Sequence, residues 1–190
     1  ILKENIDLIV VDTAHGHTKK VAQIIKVIKK IKPSKTALCA GNVATIDAAK
    51  FLIRLGVDII KVGIGPGSIC TTRLVAGIGV PQLGAITEVR RGIKKSKTTL
   101  IADGGIKFSG DIPKALAAGA DAVMIGSLFA GTDEAPGKLI KKGGKKFKSF
   151  RGMGSIGAMN KGSADRYFQK KQRDTSKYVA EGVEGLVKYK

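Results

Sequence analysis

The chain has 190 residues, of which 43% are hydrophobic, so it can bury a substantial core and intrinsic disorder is excluded. Its formal charge of +19 suits a solvated basic surface or attraction to polyanions, and it identifies no partner. Two cysteines exclude a disulfide framework. No apolar run reaches the ~18 residues of a membrane span, so we expect a cytoplasmic protein.

Short apolar runs alternate with amphipathic stretches along the first two thirds of the chain. Apolar runs rich in β-branched residues predict strands at 7–11, 36–40, 58–62, 98–102 and 121–125. Helical periodicity predicts helices at 19–31, 46–55, 83–95 and 109–118. This alternation predicts a parallel α/β protein.

A polar or glycine-rich segment follows every predicted strand, at 12–16, 41–42, 63–73, 103–105 and 126–127. Chemistry gathered at the carboxyl ends of parallel strands is typical of a (β/α)₈ TIM barrel, in which phosphate binds after strands seven and eight. If the last two segments are those loops, three strands of the barrel are missing. We therefore predict a fragment with about five of the eight βα units, and an open sheet is the alternative.

The loop at 63–73 reads Gly-Ile-Gly-Pro-Gly-Ser-Ile-Cys-Thr-Thr-Arg and follows a predicted buried strand. Its glycines allow sharp bends and close approach of the backbone to a ligand. Polar neighbours and Arg73 give Cys70 a locally basic environment that favours the thiolate. Cys70 is thus the predicted nucleophile, whereas Cys39, inside an apolar run, is predicted to be a small buried side chain.

The alternation ends beyond residue 130. Residues 131–148 carry glycines and a lysine run, and neither they nor residues 150–169 are predicted to form regular core structure. A long glycine-rich extension beside a reactive site is typical of a mobile cover. We therefore divide the chain into a barrel part, 1–130, and an extension with a catalytic flap, 131–190.

Two further patterns are discounted. The G-x-G-x-x-G pattern at 152–157 follows a lysine-rich stretch, and a dinucleotide fingerprint would follow a buried strand. His15 and His17 are the only histidines, so we predict a polar loop there in preference to a transition-metal site.

Five motifs occur in one order, at 63–73, 80–82, 102–106, 151–155 and 165–169. Together they resemble the IMP dehydrogenase family over nearly the whole chain. The resemblance implies the second half of that family's catalytic barrel plus its flap. The related GMP reductases share the cysteine loop but lack the last two motifs, so the dehydrogenase is favoured and GMP reductase is the lesser enzyme alternative.

The resemblance implies oxidation of IMP to XMP in guanine nucleotide biosynthesis, with NAD as the cofactor. Cys70 would add to the purine C2, hydride would leave for NAD, and water would hydrolyse the covalent thioimidate. Thr72 would lie near that water, Arg166 and Tyr167 would activate it, and Glu181 would contact the base and assist. From the residues alone Arg166 would instead be a partner for phosphate or carboxylate, because arginine has a pKa above ~12.

Further roles come from the resemblance alone. The implied nucleotide-binding residues are Ser68, Asp103, Gly104, Gly105, Gly126, Ser127, Met153, Gly154 and Glu181. The implied NAD-facing residues are Asp12, Thr13, Ala14 and Gly63. Carbonyls that would hold a potassium ion belong to Gly65, Gly67 and Cys70. Phe150 stands where the family often has a tyrosine that donates to the phosphate.

A second class of function stays open beside the enzyme. The basic charge would also suit a noncatalytic fragment that binds nucleic acid or another polyanion. The resemblance favours the enzyme, with IMP and NAD as its partners, a homotetrameric assembly and no membrane association.

Overall fold

The computed structural model describes residues 4–190. A five-stranded parallel sheet runs in chain order, and each strand pairs with its sequence neighbours. Its strands are β1 (Leu8–Asp12), β2 (Ala37–Val43), β3 (Ile59–Val62), β4 (Thr99–Asp103) and β5 (Ala122–Met124). The predicted parallel α/β architecture is therefore confirmed, with strand bounds that shift by at most three residues.

Helices connect the strands. They are α1 (Lys19–Ile31), α2 (Ile46–Arg54), α3 (Thr72–Val75), α4 (Gln82–Ile93) and α5 (Asp111–Ala117). The periodicity predicts four of them, whereas the short α3 begins within the predicted loop 63–73 and was not predicted. The hydroxyls of Thr18 and Thr45 accept N–H groups in the first turns of α1 and α2, which fixes where these helices begin. No helix among residues 4–190 has the length and apolar character needed to cross a bilayer.

The main core lies between the sheet and its helices. Leu38, Ile60 and Leu100 stand on adjacent strands and are fully buried. They pack in one cluster with apolar side chains from the helices, including Ile25 and Ile86. The sheet is thereby held as a rigid platform, and its strand ends position the loops that follow.

Strand β2 differs from its prediction in a way that shapes the site. Gly41 and Asn42 are predicted as a loop, but β2 continues through them to Val43. A Cβ at Gly41 would lie 2.6 Å from the carbonyl oxygen of Lys61, so only glycine allows β2 and β3 to approach this closely. The extension carries Asn42 to the carboxyl end of the sheet.

Both outer edges of this sheet are open within residues 4–190. Strands β1 and β5 each pair with one neighbour. The side chains of Val10 and Met124, on these two strands, are 44% and 42% exposed. Five parallel strands in chain order with open edges are consistent with part of a TIM barrel.

The extension contains regular structure that the sequence analysis did not predict. A three-stranded antiparallel sheet comprises β6 (Leu139–Lys142), β7 (Lys145–Arg151) and β8 (Glu184–Lys188). Gly143 and Gly144 both have positive φ, 56° and 72°, as a two-residue hairpin turn requires. The Gly-Gly pair was therefore the overlooked hairpin signal, because the surrounding lysines made the segment look like a solvated coil.

The remainder of the extension folds around a small second core. It comprises α6 (Ile156–Asn160) and two 3₁₀ turns, Ser163–Tyr167 and Thr175–Lys177. Met159, Ala164 and Tyr178 are buried together, with Tyr167 packed against them. This cluster holds the segment that carries Arg166 and Tyr167 in a defined position.

Candidate active site

Cys70 lies on the loop between β3 and α3, at the carboxyl end of the sheet. Its side chain is half-buried, and its Sγ lies 3.3 Å from the Oγ1 of buried Thr72. The backbone N–H of Cys70 donates to the carbonyl of Gly67 at 3.1 Å, which tightens the turn. The thiol is therefore presented by a fixed loop with a hydroxyl beside it.

The cysteine loop is joined to the extension by backbone hydrogen bonds. Residues 181–183 lie antiparallel to residues 69–71, with two hydrogen bonds of 2.9 and 3.0 Å, and Gly182 faces Cys70. On the other side, residues 181–183 make two hydrogen bonds of 2.9 and 3.0 Å to residues 152–154. One short segment thus ties the cysteine loop to residues 152–154, which lie about 80 residues further along the sequence.

A pocket of about 240 Å³ opens at the thiol. The predicted site residues that line it are Ala14, Gly63, Gly65, Gly67, Cys70, Thr72, Asp103, Gly104, Met153, Gly154, Arg166, Tyr167 and Glu181. An adjoining pocket of about 120 Å³ shares Gly67, Asp103, Gly104 and Phe150 with it. The second pocket adds the predicted residues Ser68, Gly105, Gly126 and Ser127. The structure therefore brings together residues from four strand ends and the extension.

A larger open cleft, of about 1600 Å³, is lined mainly by residues of the extension. Asp12, Met153 and Arg166 are among its lining residues, whereas Cys70 is not. Met153 and Arg166 line both this cleft and the 240 Å³ pocket at the thiol. The segment that carries Arg166 consequently borders both the thiol pocket and the cleft.

Asp12 and Arg166, which both line the larger cleft, form a two-point ion pair. The Nε of Arg166 donates to Oδ2 of Asp12 at 2.9 Å, and Nη2 donates to Oδ1 at 3.2 Å. Burial alone would raise the pKa of Asp12, but the hydrogen bond from Arg166 and the charge of Lys61 lower it below its ordinary value. Arg166 therefore has the carboxylate partner that its residue type predicts.

The environment of Arg166 and Tyr167 keeps both side chains protonated. Burial would lower the pKa of Arg166, but the hydrogen bond and charge of Asp12 raise it above its ordinary value. Burial raises the pKa of Tyr167, whose ring centroid lies 5.3 Å from the guanidinium carbon of Arg166. In this arrangement neither group is a ready proton acceptor.

Lys61 is a site residue that the sequence analysis missed. It lies within β3, is only 2% exposed, and contacts the carboxylates of Asp12 and Asp103 and the side chain of Asn42. Asn42 also donates to Asp103 at 2.9 Å. The available signal was a lysine inside an otherwise apolar strand, since a buried lysine needs anionic partners.

Thr13 lies apart from the residues gathered at the two pockets. It is buried, and both its hydroxyl and its backbone N–H donate to the carbonyl of Gly41 at 2.8 Å. The other predicted NAD-facing residues are divided, because Ala14 and Gly63 line the thiol pocket while Asp12 lines the larger cleft.

The carbonyls predicted to hold potassium belong to three residues of the cysteine loop, all of which line the thiol pocket. Among residues 4–190, those of Gly65 and Cys70 accept no hydrogen bond, and that of Gly67 accepts only the N–H of Cys70. Gly65 has a φ of +76°, which a larger residue would adopt only with strain. Oxygen-only carbonyl ligands of this kind suit a monovalent cation.

The two thiols are expected to differ in reactivity towards iodoacetamide. Cys39 is 1% exposed and burial raises its pKa to about 11, so its thiol stays protonated and inaccessible near neutral pH. We expect alkylation of Cys70 alone in the native protein and of both residues after denaturation, as measured by peptide mass spectrometry. Comparable native labelling of Cys39 would contradict this placement of the two side chains.

Comparisons with known proteins identify similar sequences. The family model described as "IMP dehydrogenase / GMP reductase domain" matches residues 1–190. An inosine-5'-monophosphate dehydrogenase of Rhizobium tropici is 57% identical over 190 residues, all of this chain and 38% of that relative. One of Chlorobaculum parvum is 55% identical over 189 residues, 98% of this chain and 38% of the relative. One of Streptococcus pyogenes is 59% identical over 184 residues, 97% of this chain and 37% of the relative. The chain thus spans less than two fifths of the length of these relatives.

Proposed function

Because the chain belongs to the IMP dehydrogenase / GMP reductase family, we propose that it forms part of an enzyme that oxidises IMP to XMP with NAD. In this proposal residues 1–130 are the second part of a (β/α)₈ barrel, and residues 131–190 are the extension with the flap. Three further strands would close the barrel by pairing with the open edges of β1 and β5. The exposed apolar side chains of Val10 and Met124 on these strands support that completion.

The observation that carries the proposal is the position of Cys70. Its sulfur opens into a pocket that also contains Asp103, Arg166 and Tyr167, which are distant in sequence. The thiolate would form a C–S bond to C2 of IMP, and the hydride on C2 would leave with its electron pair. The product is a thioimidate attached to Cys70, which is the form of covalent catalysis that a presented thiol suits.

The two adjoining pockets suit the remaining parts of a nucleotide. The carboxylate of Asp103 can accept hydrogen bonds from ribose hydroxyls. In the smaller pocket, Ser68, Ser127 and the glycine backbone N–H groups can donate to a phosphate. Phe150 lines both pockets and lacks the hydroxyl of a tyrosine, so the phosphate would depend on those donors alone.

NAD, when bound, supplies the acceptor for the hydride. The residues present fit it in part, because Ala14 and Gly63 border the thiol pocket and Asp12 offers a carboxylate towards the larger cleft. In this structure both oxygens of that carboxylate accept hydrogen bonds from Arg166. Cofactor binding at Asp12 would therefore require Arg166 to move away, which is consistent with a flap that covers the site in only part of the cycle.

Hydrolysis would release XMP once the flap covers the pocket. Water would add to C2 and pass one proton to N3 of the purine; the C–S bond would then break, so that Cys70 recovers its thiolate and the second proton leaves as C2=O forms. Arg166 and Tyr167 would orient this water, with Thr72 and Glu181 at its side. Proton removal by Arg166 would require separation from Asp12, since that carboxylate raises the pKa of the guanidinium.

Potassium and assembly belong to the same proposal. The carbonyls of Gly65, Gly67 and Cys70 would hold the ion and stabilise the conformation of the cysteine loop. A homotetramer, which the resemblance implies, stays a prediction.

Turnover of IMP with NAD by the complete polypeptide that contains this sequence tests the proposed function. We expect NADH formation, followed by its absorbance, that depends on both IMP and NAD. Absence of turnover together with strong, salt-sensitive retention of nucleic acid would contradict the proposal and favour a polyanion-binding protein. NADPH-dependent conversion of GMP to IMP would instead indicate a reductase.

A further inference from the structure

Lys61 is an unusual residue for the interior of a parallel sheet. Its side chain is 3% exposed, and it stands on β3 between neighbouring strands β2 and β4. A buried ammonium is costly unless anionic and polar groups surround it. An apolar side chain packed at this position would be enough to stabilise the sheet. Packing alone therefore does not explain why a lysine stands here.

The partners of Lys61 come from the ends of three different strands. Its Nζ lies 2.8 Å from Oδ1 of Asp12 and 2.5 Å from Oδ1 of Asn42, and it also contacts Oδ2 of Asp103. Asn42 closes the network by donating to the same oxygen of Asp103. The ammonium thus fixes β1, β2 and β4 relative to one another where the site begins.

Each carboxylate in this network also has a role outside the network. Asp12 accepts both hydrogen bonds from Arg166, on the segment that covers the pocket. Asp103 lines both nucleotide pockets, where the proposed function assigns it to the ribose. The two cations, Lys61 and Arg166, balance the two carboxylates.

We propose that Lys61 is a positioning residue whose ammonium holds Asp103 and Asp12 in place, so that nucleotide binding and the docking of Arg166 depend on one buried cation. This inference rests on the proposed function, because it needs Asp103 to bind the ribose of IMP. Lys61 itself lines none of the three pockets described and acts through the two carboxylates.

The test replaces Lys61 in the complete polypeptide and measures IMP binding by calorimetry beside steady-state kinetics. For Lys61→Met we expect the Kd for IMP to rise about 30-fold or more and kcat to fall about 10-fold, since misplacement of a binding group by ~1 Å can cost ~10²-fold. Lys61→Arg keeps the cation and should restore the Kd to within about fivefold of wild type. Lys61→Gln, which can still donate to one carboxylate, provides the test if the methionine variant does not fold.

Lys148→Met is the matched control, because Lys148 is also buried, at 5% exposed, but donates only to backbone carbonyls at 132, 133 and 135. It should lower the thermal midpoint while the Kd for IMP stays within about twofold. A folded Lys61→Met or Lys61→Gln variant with an unchanged Kd would overturn the inference, as would an equal loss of IMP affinity in Lys148→Met.

The wild-type protein distinguishes failure of this inference from failure of the proposed function. If the wild type binds IMP without turnover, the proposed function fails, and the Kd series still decides the role of Lys61. If the wild type does not bind IMP at all, the proposed function and the inference about Lys61 are both contradicted.

Discussion

Cys70→Ala is expected to abolish NADH formation, with kcat reduced by roughly 10⁴-fold or more, because loss of a covalent nucleophile removes the whole reaction path. The residue lines the pocket, and within residues 4–190 its Sγ makes one side-chain hydrogen bond, of 3.3 Å to Oγ1 of Thr72. The fold should therefore persist. We expect the thermal midpoint to change little and IMP to bind within about tenfold of wild-type affinity.

Cys39→Ala provides the matched control for that experiment. Cys39 is the other cysteine of the chain, and it is buried in β2. Its replacement should lower the thermal midpoint slightly and leave kcat within about threefold. Turnover that survives Cys70→Ala would contradict the assignment of the nucleophile.

Arg166→Ala is expected to reduce steady-state kcat by about 10²- to 10³-fold, within the range that positioned acid–base groups contribute. The expected defect lies in hydrolysis, because Arg166 belongs to the segment that borders the pocket and its side chain donates hydrogen bonds to Asp12. Rapid mixing should therefore show a burst of NADH close to one per active site, followed by slow turnover.

Arg173→Ala serves as the control for Arg166→Ala. Arg173 is an exposed arginine of the same extension, so its removal changes the net charge equally without touching the pocket. We expect its burst and steady-state rate to match the wild type. Loss of the burst in Arg166→Ala would place this arginine in the hydride-transfer step and contradict its role in hydrolysis.

The order of strands and helices could be predicted because local patterns determine it. Apolar runs and helical periodicity locate β1 through β5 and the helices α1, α2, α4 and α5, and α1 has its predicted bounds, 19–31. The β6–β7 hairpin was missed because its Gly-Gly turn is flanked by lysines. The second core was missed because its three buried residues are scattered through an apparently irregular segment.

The cysteine loop was identifiable from sequence, whereas the electrostatic arrangement around it was not. Glycines followed by a cysteine form a local pattern at the end of a strand. The network of Lys61, Asp12 and Asp103 joins residues up to 91 positions apart, and only the register of the parallel sheet brings them together. Arg166 was identified as a partner for an anion from its chemistry, and the fold supplied Asp12.

Mass spectrometry of an acid-quenched reaction tests the covalent chemistry most directly. The complete polypeptide would be mixed with IMP and NAD, stopped within the first turnover, and digested. We expect a purine nucleotide adduct on the peptide that contains Cys70, absent when NAD is omitted. A productive first turnover with no adduct at Cys70, or with the adduct elsewhere, would contradict the account.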